Sequence, residues 1–327
     1  MNLENLKNIN DILNKDLEAK VFFVFKSAEK ECTLDFRLVN LEEQKAEKAV
    51  IEVIKNSLLE KVRVEDLELR KLSLAENEKN VIYEYDYNEV PELLQQVVQF
   101  VDEEVSFESG FGSALQKFFS KSNDKIADLF GLLIILNSEG KRIKIFKKHY
   151  PISLLQTGRG CYLTDAGNIF ECVDDRDYLR ITNGVDLVVF NGVTYVFNID
   201  VIEKYLGFDK IIMANAADAI EWMKKSGLID GVEVIEDNLE NISVARKLAK
   251  VAKSSPVIKL KITNQDLIQF TKDNSEFDGM FEFTDDESKF VIRKKIAIKN
   301  ILMLLNDEFL FSKLTKIAYH SSSKESM

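Results

Sequence analysis

The segment LLNDEFLFSKLT, residues 304–315, sets an amide, a carboxylate and two hydroxyls (Asn306, Asp307, Ser312 and Thr315) at the end of an apolar run. Side chains of these types can hold a nucleophile or move a proton. They equally suit the end of a helix, whose last carbonyls need partners. A helix is predicted over 295–305, with Ile298, Ile301, Leu302 and Leu305 on one stripe. Asn306 is then expected in the left-handed conformation that helix ends favour. Asp307 and Ser312 would bond nearby backbone, and FLFSKLT would return the chain against the core.

Other constellations carry weaker chemistry. Asp278 with Glu287-Ser288-Lys289 resembles the D…ExK pattern of metal-dependent nucleases, in which two carboxylates hold a metal and a lysine lies near the attacked phosphate. Here the ExK falls in a predicted turn, and Glu18-Ala19-Lys20 repeats it in a chain rich in Glu and Lys. Asp174, Asp175 and Asp177 could offer hard oxygens to a divalent cation, but they sit where a turn is needed. Gly110-Phe-Gly112 lacks the GK[ST] and the further glycine of a phosphate loop. Cys32, Cys161 and Cys172 form no CxxC pair and read as free thiols. The two histidines, His149 and His320, and three cysteines are too few for a zinc or His-rich centre. No catalytic residue, metal site or cofactor is expected.

Charge is unevenly placed. The net charge is −11, which argues against an all-over basic nucleic-acid binder. Yet residues 105–160 carry 9 Lys/Arg against 4 Asp/Glu, and residues 289–327 carry 8 against 3. The first island holds Arg142, Lys144, Lys147 and Lys148. The second holds Arg293, Lys294, Lys295, Lys299, Lys313 and Lys316. In RIKIF, Ile143 and Ile145 face the core while Arg142, Lys144 and Lys148 share the other face. That face is either a solvated edge guarded by lysines or a surface for phosphates.

These residues need elements to position them. With 327 residues, 13 glycines and 3 prolines, the chain suits about two domains of regular structure. The expected class is α+β: two mixed α/β parts, antiparallel hairpins with helices packed on them. The division is placed at residues 1–125 and 126–327. In the first part a helix over 2–15 precedes strands AKVFFVFKS and CTLDFRLV. A helix from Asn40, capped by Asn40 with Glu43, precedes two strands and a helix opened by Pro91. In the second, LLIIL and RIKIF flank a four-residue loop, Asn137 to Gly140, and GCYLTD, NIFECV and YLRIT read as strands. VDLVVF-NG-VTYVFN is a type I′ hairpin, central and buried. Helices then dominate, with GMFEFT and KFVIRK as strands. The start of the chain lacks the pattern of a signal peptide, and no apolar run reaches a membrane span of about 18 residues. A cytoplasmic protein is expected.

LLNDEFLFSKLT, with Tyr319 and Lys324 beyond it, resembles the C-terminal signature of the KwaB family of the Kiwa anti-phage system. VDLVVFNGVTYVFNIDVIEKYLGF, VARKLAKVAK and KKIAIKNIL are similar to the same family in the same order. The resemblance covers about the second half of the chain. It implies a soluble defence protein that binds DNA, interferes with phage replication and acts with a small membrane protein, which could recruit it to the inner face of the membrane. A homodimer is expected. It supplies no catalytic residue. The competing expectations are a metal-dependent nuclease using Asp278 and Glu287, and a protein-interaction scaffold.

Overall fold

The computed structural model describes residues 3–27, 30, 32–41, 45–62, 67–75, 81–100, 118–120, 124–150, 163–165, 170–172, 179–311 and 318–320. Asp174, Asp175, Asp177, Gly110, Gly112, Cys161, Glu43, Ser312, Thr315, Lys313, Lys316 and the tail from residue 321 lie outside the described residues. The fold is α+β, with antiparallel strands and packed helices. It divides into two compact units. The first comprises Met1–Leu69, Lys79–Tyr85 and Glu92–Leu206. The second comprises Arg70–Glu78, Asp86–Pro91 and Gly207–Met327.

The first unit contains α1 (Leu3–Leu13), β1 (Glu18–Lys26), β2 (Leu34–Leu38), α2 (Ala46–Val62), β3 (Glu68–Lys71), β4 (Val81–Glu84), α3 (Glu92–Gln99), β5 (Leu129–Ser138), β6 (Lys141–Lys148), β7 (Leu163–Asp165), β8 (Phe170–Cys172), β9 (Leu187–Phe190), β10 (Val193–Val196) and α4 (Ile199–Leu206). In β3 the last two residues already belong to the second unit. The main sheet runs β2-β1-β5-β6-β9-β10-β4-β3. Every pairing from β2 to β4 is antiparallel, while β7 and β8 form a separate antiparallel pair.

Period-two alternation gives this sheet two apolar faces. On one, Val21, Phe23, Ile134, Ile143, Ile145 and Val188 pack with Leu6, Ile9 and Leu13 of α1 and with Ile54 and Leu58 of α2. The residues between them, among them Phe22, Leu133, Phe146 and Leu187, are also buried. Phe22 meets Phe100, just beyond α3, ring to ring at 4.9 Å. The Gln96 amide of α3 binds β2 through the Leu34 N–H (2.8 Å) and the Cys32 carbonyl (2.8 Å).

Both hairpins nearest the sheet centre close on two residues. Asn191 and Gly192 have φ of 50° and 75°, as the type I′ expectation requires. The β5–β6 loop is the pair Glu139-Gly140, φ 50° and 78°, and the ladder continues to Ser138 opposite Lys141. It is thus shorter than the four residues expected. β6 lies between β5 and β9, so the solvated-edge reading of its lysines is overturned. Of the expected strand YLRIT, the described residues 179–182 form no strand, and α2 begins at Ala46.

The second unit contains α5 (Phe208–Ser226), β11 (Ile229–Asp230), α6 (Val232–Glu236), α7 (Ile242–Ser254), α8 (Pro256–Lys259), α9 (Asn264–Asp273), β12 (Glu282–Phe283), β13 (Phe290–Val291), α10 (Lys295–Leu305), β14 (Phe309–Phe311) and β15 (Ala318–His320). β13 pairs antiparallel with β12, as expected for GMFEFT and KFVIRK, and parallel with β11, a two-residue strand too short to show in the sequence. PVIKLKITNQDLIQFTKDN holds two helices: Pro256 opens α8, and Thr263 with Asp266 forms a capping box on α9.

The end of α10 answers the question raised by LLNDEF. Asn306 has φ −84°, while Asp307 takes the left-handed conformation at φ 53°. The Glu308 N–H donates to the Met303 carbonyl at 2.8 Å and the Asp307 N–H to that of Leu304 at 2.9 Å. This pair of bonds is a Schellman ending with Asp307 at the position that usually prefers glycine. Asn306 is buried, and its Nδ2 reaches the Lys247 carbonyl at 3.4 Å. Glu308, 3 % exposed, accepts from Lys247 and Lys250, each at 3.1 Å. Phe309 closes on Phe277 at 4.9 Å. A helix stop engages Asp307, an ion triad Glu308 and an aromatic contact Phe309, while the buried Asn306 Oδ1 has no hydrogen-bond partner among the described residues.

Candidate anion-binding pocket

The sequence-predicted basic residues fall in different environments. Arg142 is exposed on β6. Lys144, two residues on, is half-buried. Its Nζ donates to the Phe100 carbonyl at 3.1 Å and also to that of Val98. These carbonyls lie at the C-terminal end of α3, where unpaired acceptors and the helix dipole favour a cation. Burial lowers the Lys144 pKa from its ordinary value. It is a helix-capping lysine, and the expectation that it is solvated fails.

Lys147 and Lys148 converge on a pocket of about 370 Å³ at the end of β6, near the start of β9 and the end of β10. Lys147 Nζ donates to the carbonyls of Gly184 (2.9 Å) and Asn183 (3.4 Å). Gly184, at φ 122°, lets the lysine approach: a Cβ there would lie 3.3 Å from Nζ. Lys148 Nζ donates to the His149 carbonyl at 2.5 Å. It lies 4.9, 5.2 and 5.0 Å from the ring centroids of Phe130, Tyr150 and Tyr205, so three aromatic faces hold its charge. Burial lowers the pKa of both lysines; Lys26 adds to the lowering at Lys148, and Asp186 opposes it at both.

Asp186 is the pocket's buried carboxylate, 8 % exposed. Its Oδ2 accepts from the Lys148 N–H at 2.7 Å and its Oδ1 from Asn198 Nδ2 at 2.9 Å. Its carbonyl accepts from the N–H groups of Phe197 and Asn198, at 2.9 and 3.1 Å. Burial raises its pKa, against the hydrogen bonds and lysines that lower it. Asp186 therefore stitches β6, β9 and the end of β10 together. His149 is held below the ordinary histidine range, first by burial and then by Lys148 and Lys147. Burial, with Tyr205 and Asp186, pushes the Tyr150 hydroxyl up to about 12. Lys61 and Arg180 complete the basic lining, both exposed.

Sequence reasoning found Lys147 and Lys148 and missed Lys61, Arg180 and Asp186. A faint signal was present for Asp186, the lone carboxylate entering the apolar run VDLVVF. Lys61 and Arg180 come from chain positions far apart, which no local pattern connects.

The second island belongs to the second unit. Arg293, Lys294, Lys295 and Lys299 are all exposed, and Arg293 lies 3.9 Å from Glu282. Lys295 and Lys299 are one turn apart on α10 and share a face. Lys313 and Lys316 lie outside the described residues. Of the nuclease pattern, Glu287 sits at φ 55° in the β12–β13 turn and pairs with Lys272, while Asp278 closes a short turn after α9. Among the described residues no group of three or more His, Cys, Asp or Glu is placed to hold a metal ion. No described helix is long and apolar enough to cross a membrane.

The geometry defines an α+β protein with a cationic pocket on its main sheet and a separate exposed basic helix start. The profile of the Kiwa protein KwaB-like family matches residues 126–315. The chain belongs to that family. It is also similar to Kiwa protein KwaB of Escherichia coli O55:H7 (strain RM12579 / EPEC), 27% identical over 270 residues, 80% of each chain. No solved structure matches it.

Proposed function

We propose that this chain is an anti-phage defence protein of the Kiwa type that acts by binding DNA without cleaving it. Membership in the KwaB-like family is the observation that carries the reading. The exposed cluster Arg293, Lys294, Lys295 and Lys299 supports the DNA part, because solvated cations one helical turn apart attract phosphates with little desolvation cost. The proposal includes a small membrane protein of the Kiwa system as partner, a homodimer, and recruitment from the cytoplasm to the inner face of the membrane. Nothing in the basic cluster resembles a base-reading helix or zinc finger, so contact is with the phosphate backbone. Incubating the purified protein with a labelled duplex and magnesium or manganese tests the reading. Retarded, intact DNA is expected; shortened DNA would replace it with the nuclease reading.

We also propose the division at residue 125 as a boundary between modules. It predicts that limited proteolysis leaves a stable fragment starting near residue 126, where the family match begins. A stable fragment starting near Gly207 would favour a boundary at the start of the long C-terminal part of the second unit instead.

A further inference from the structure

The pocket at the end of β6 differs in kind from a surface that tracks a duplex. Its volume of about 370 Å³ suits a small ligand or one end of a larger one. Four basic side chains line it, Lys61, Lys147, Lys148 and Arg180, against the single carboxylate of Asp186. That carboxylate is already committed, one oxygen to a backbone N–H and the other to the Asn198 amide. Lys61 and Arg180 make no ion pair among the described residues. Among the described residues the lining thus carries more positive than negative charge, and a bound anion relieves the repulsion among its cations. Arg180 supplies the planar fork that grips phosphate oxygens in pairs. Lys147, with two N–H groups on carbonyls, keeps a third for a ligand. Four cations favour a doubly charged group over a carboxylate.

We infer that this pocket binds a phosphomonoester: the terminal phosphate of a DNA strand or the phosphate of a mononucleotide. The inference deepens the DNA-binding reading and rests on it only for the strand end as a source. A phosphodiester inside a strand carries one charge and two substituents, whereas a terminal phosphate offers two charges and a free face to the pocket.

The test uses the full chain and four probes: inorganic phosphate, AMP, and one short single strand with either a 5′-phosphate or a 5′-hydroxyl. Affinity is read by calorimetry. The His149 imidazole is followed by NMR; the chain has only one other histidine, so His149→Gln assigns the signal. Phosphate-bearing probes should move that signal and raise its titration midpoint, because an adjacent anion favours the imidazolium. The 5′-phosphate strand should bind about tenfold tighter than the 5′-hydroxyl strand, the size of one charge-assisted paired contact. Arg180→Ala combined with Lys61→Ala should erase that difference at unchanged Tm, since both side chains are exposed. AMP binding as tightly as the phosphorylated strand identifies a free nucleotide as the source, and tighter strand binding identifies a DNA end. Equal affinity for the two strands, with a His149 signal that AMP does not move, overturns the pocket even if DNA binds elsewhere. AMP binding without any DNA binding keeps the pocket and removes the DNA reading.

Discussion

The two basic islands look alike in the sequence and differ in the fold. Arg142, Lys144, Lys147 and Lys148 lie on a strand paired on both sides, with helices against the sheet. Three of these four cations are half-buried and engaged by carbonyls or aromatic faces. Arg293, Lys294, Lys295 and Lys299 surround the start of α10, whose later turns are buried, and all four are exposed. Lysine on an interior strand must find an acceptor or neutralise. Lysine at a helix start meets the positive end of the dipole and stays in water. Counting charge therefore overstates what the first island can offer a duplex and describes the second fairly.

Reversing charge separates the two most sharply. Lys144→Glu would set a carboxylate against the Val98 and Phe100 carbonyls at the end of α3. We expect it to cost about 3 kcal/mol, since it removes a charged hydrogen bond and adds repulsion in a half-buried site. Urea denaturation measures this, and an unchanged midpoint would erase the distinction between the islands. Lys295→Glu with Lys299→Glu should leave the midpoint nearly unmoved. It should weaken duplex binding about tenfold at low salt and flatten the salt dependence by about 0.9 for each phosphate no longer neutralised. Titration at two salt concentrations checks both numbers. Binding that survives with the same slope would place the DNA site elsewhere or remove DNA as a ligand.

The parts of the fold legible in the sequence are those that local chemistry dictates. Asn191-Gly192 marked a hairpin because only a φ-positive pair closes two strands so tightly. Ile298, Ile301, Leu302 and Leu305 marked α10 because their spacing matches one helical face. The interior position of β6 was hidden, because it depends on β1 pairing with β5 and β6 with β9 across long stretches of chain. The same holds for the pocket. Lys147 and Lys148 stood out as neighbours, but Lys61, on α2, and Arg180, outside any strand, join them only through the tertiary fold. At the end of α10 the helix stop was readable, while its left-handed residue was assigned one position early: Asn306 continues the turn and Asp307 reverses it.

That reversal gives a smaller effect, confined to the second unit. Asp307 holds φ 53° at a position where a side chain with a Cβ is strained. Alanine lacks the short polar group that eases the left-handed conformation, so Asp307→Ala should lower stability by about 1 kcal/mol. Asp307→Gly should cost less. A melting curve for each variant decides the order. A protein of unchanged Tm that had lost the proposed defence activity would show that this helix end does more than terminate α10.

The smallest expected effect returns to the first island and depends on pH. His149 is depressed below its ordinary value by burial, Lys148 and Lys147. The unfolded chain therefore takes up a proton before the folded protein does. Stability from the neutral imidazole is complete above the ordinary histidine range and is lost as pH falls through the lowered value. Asp186 in the same pocket acts in the opposite sense. Its pKa is raised, so the folded protein takes up that proton first and gains stability as pH falls from the raised value toward the ordinary one. The histidine's contribution begins to fall away just below the ordinary histidine range, and the gain at Asp186 opposes it wherever the two titrations overlap. His149→Gln should flatten the loss of stability below the ordinary histidine range. Lys147→Ala should flatten it in part, by removing one of the charges that depress the imidazole. Lys295→Ala, on the exposed island, should leave the slope as it is. Thermal melts at several pH values measure all three. A slope changed as much by Lys295→Ala as by Lys147→Ala would mean that the whole protein's charge, and not the packing around β6, sets the behaviour of His149.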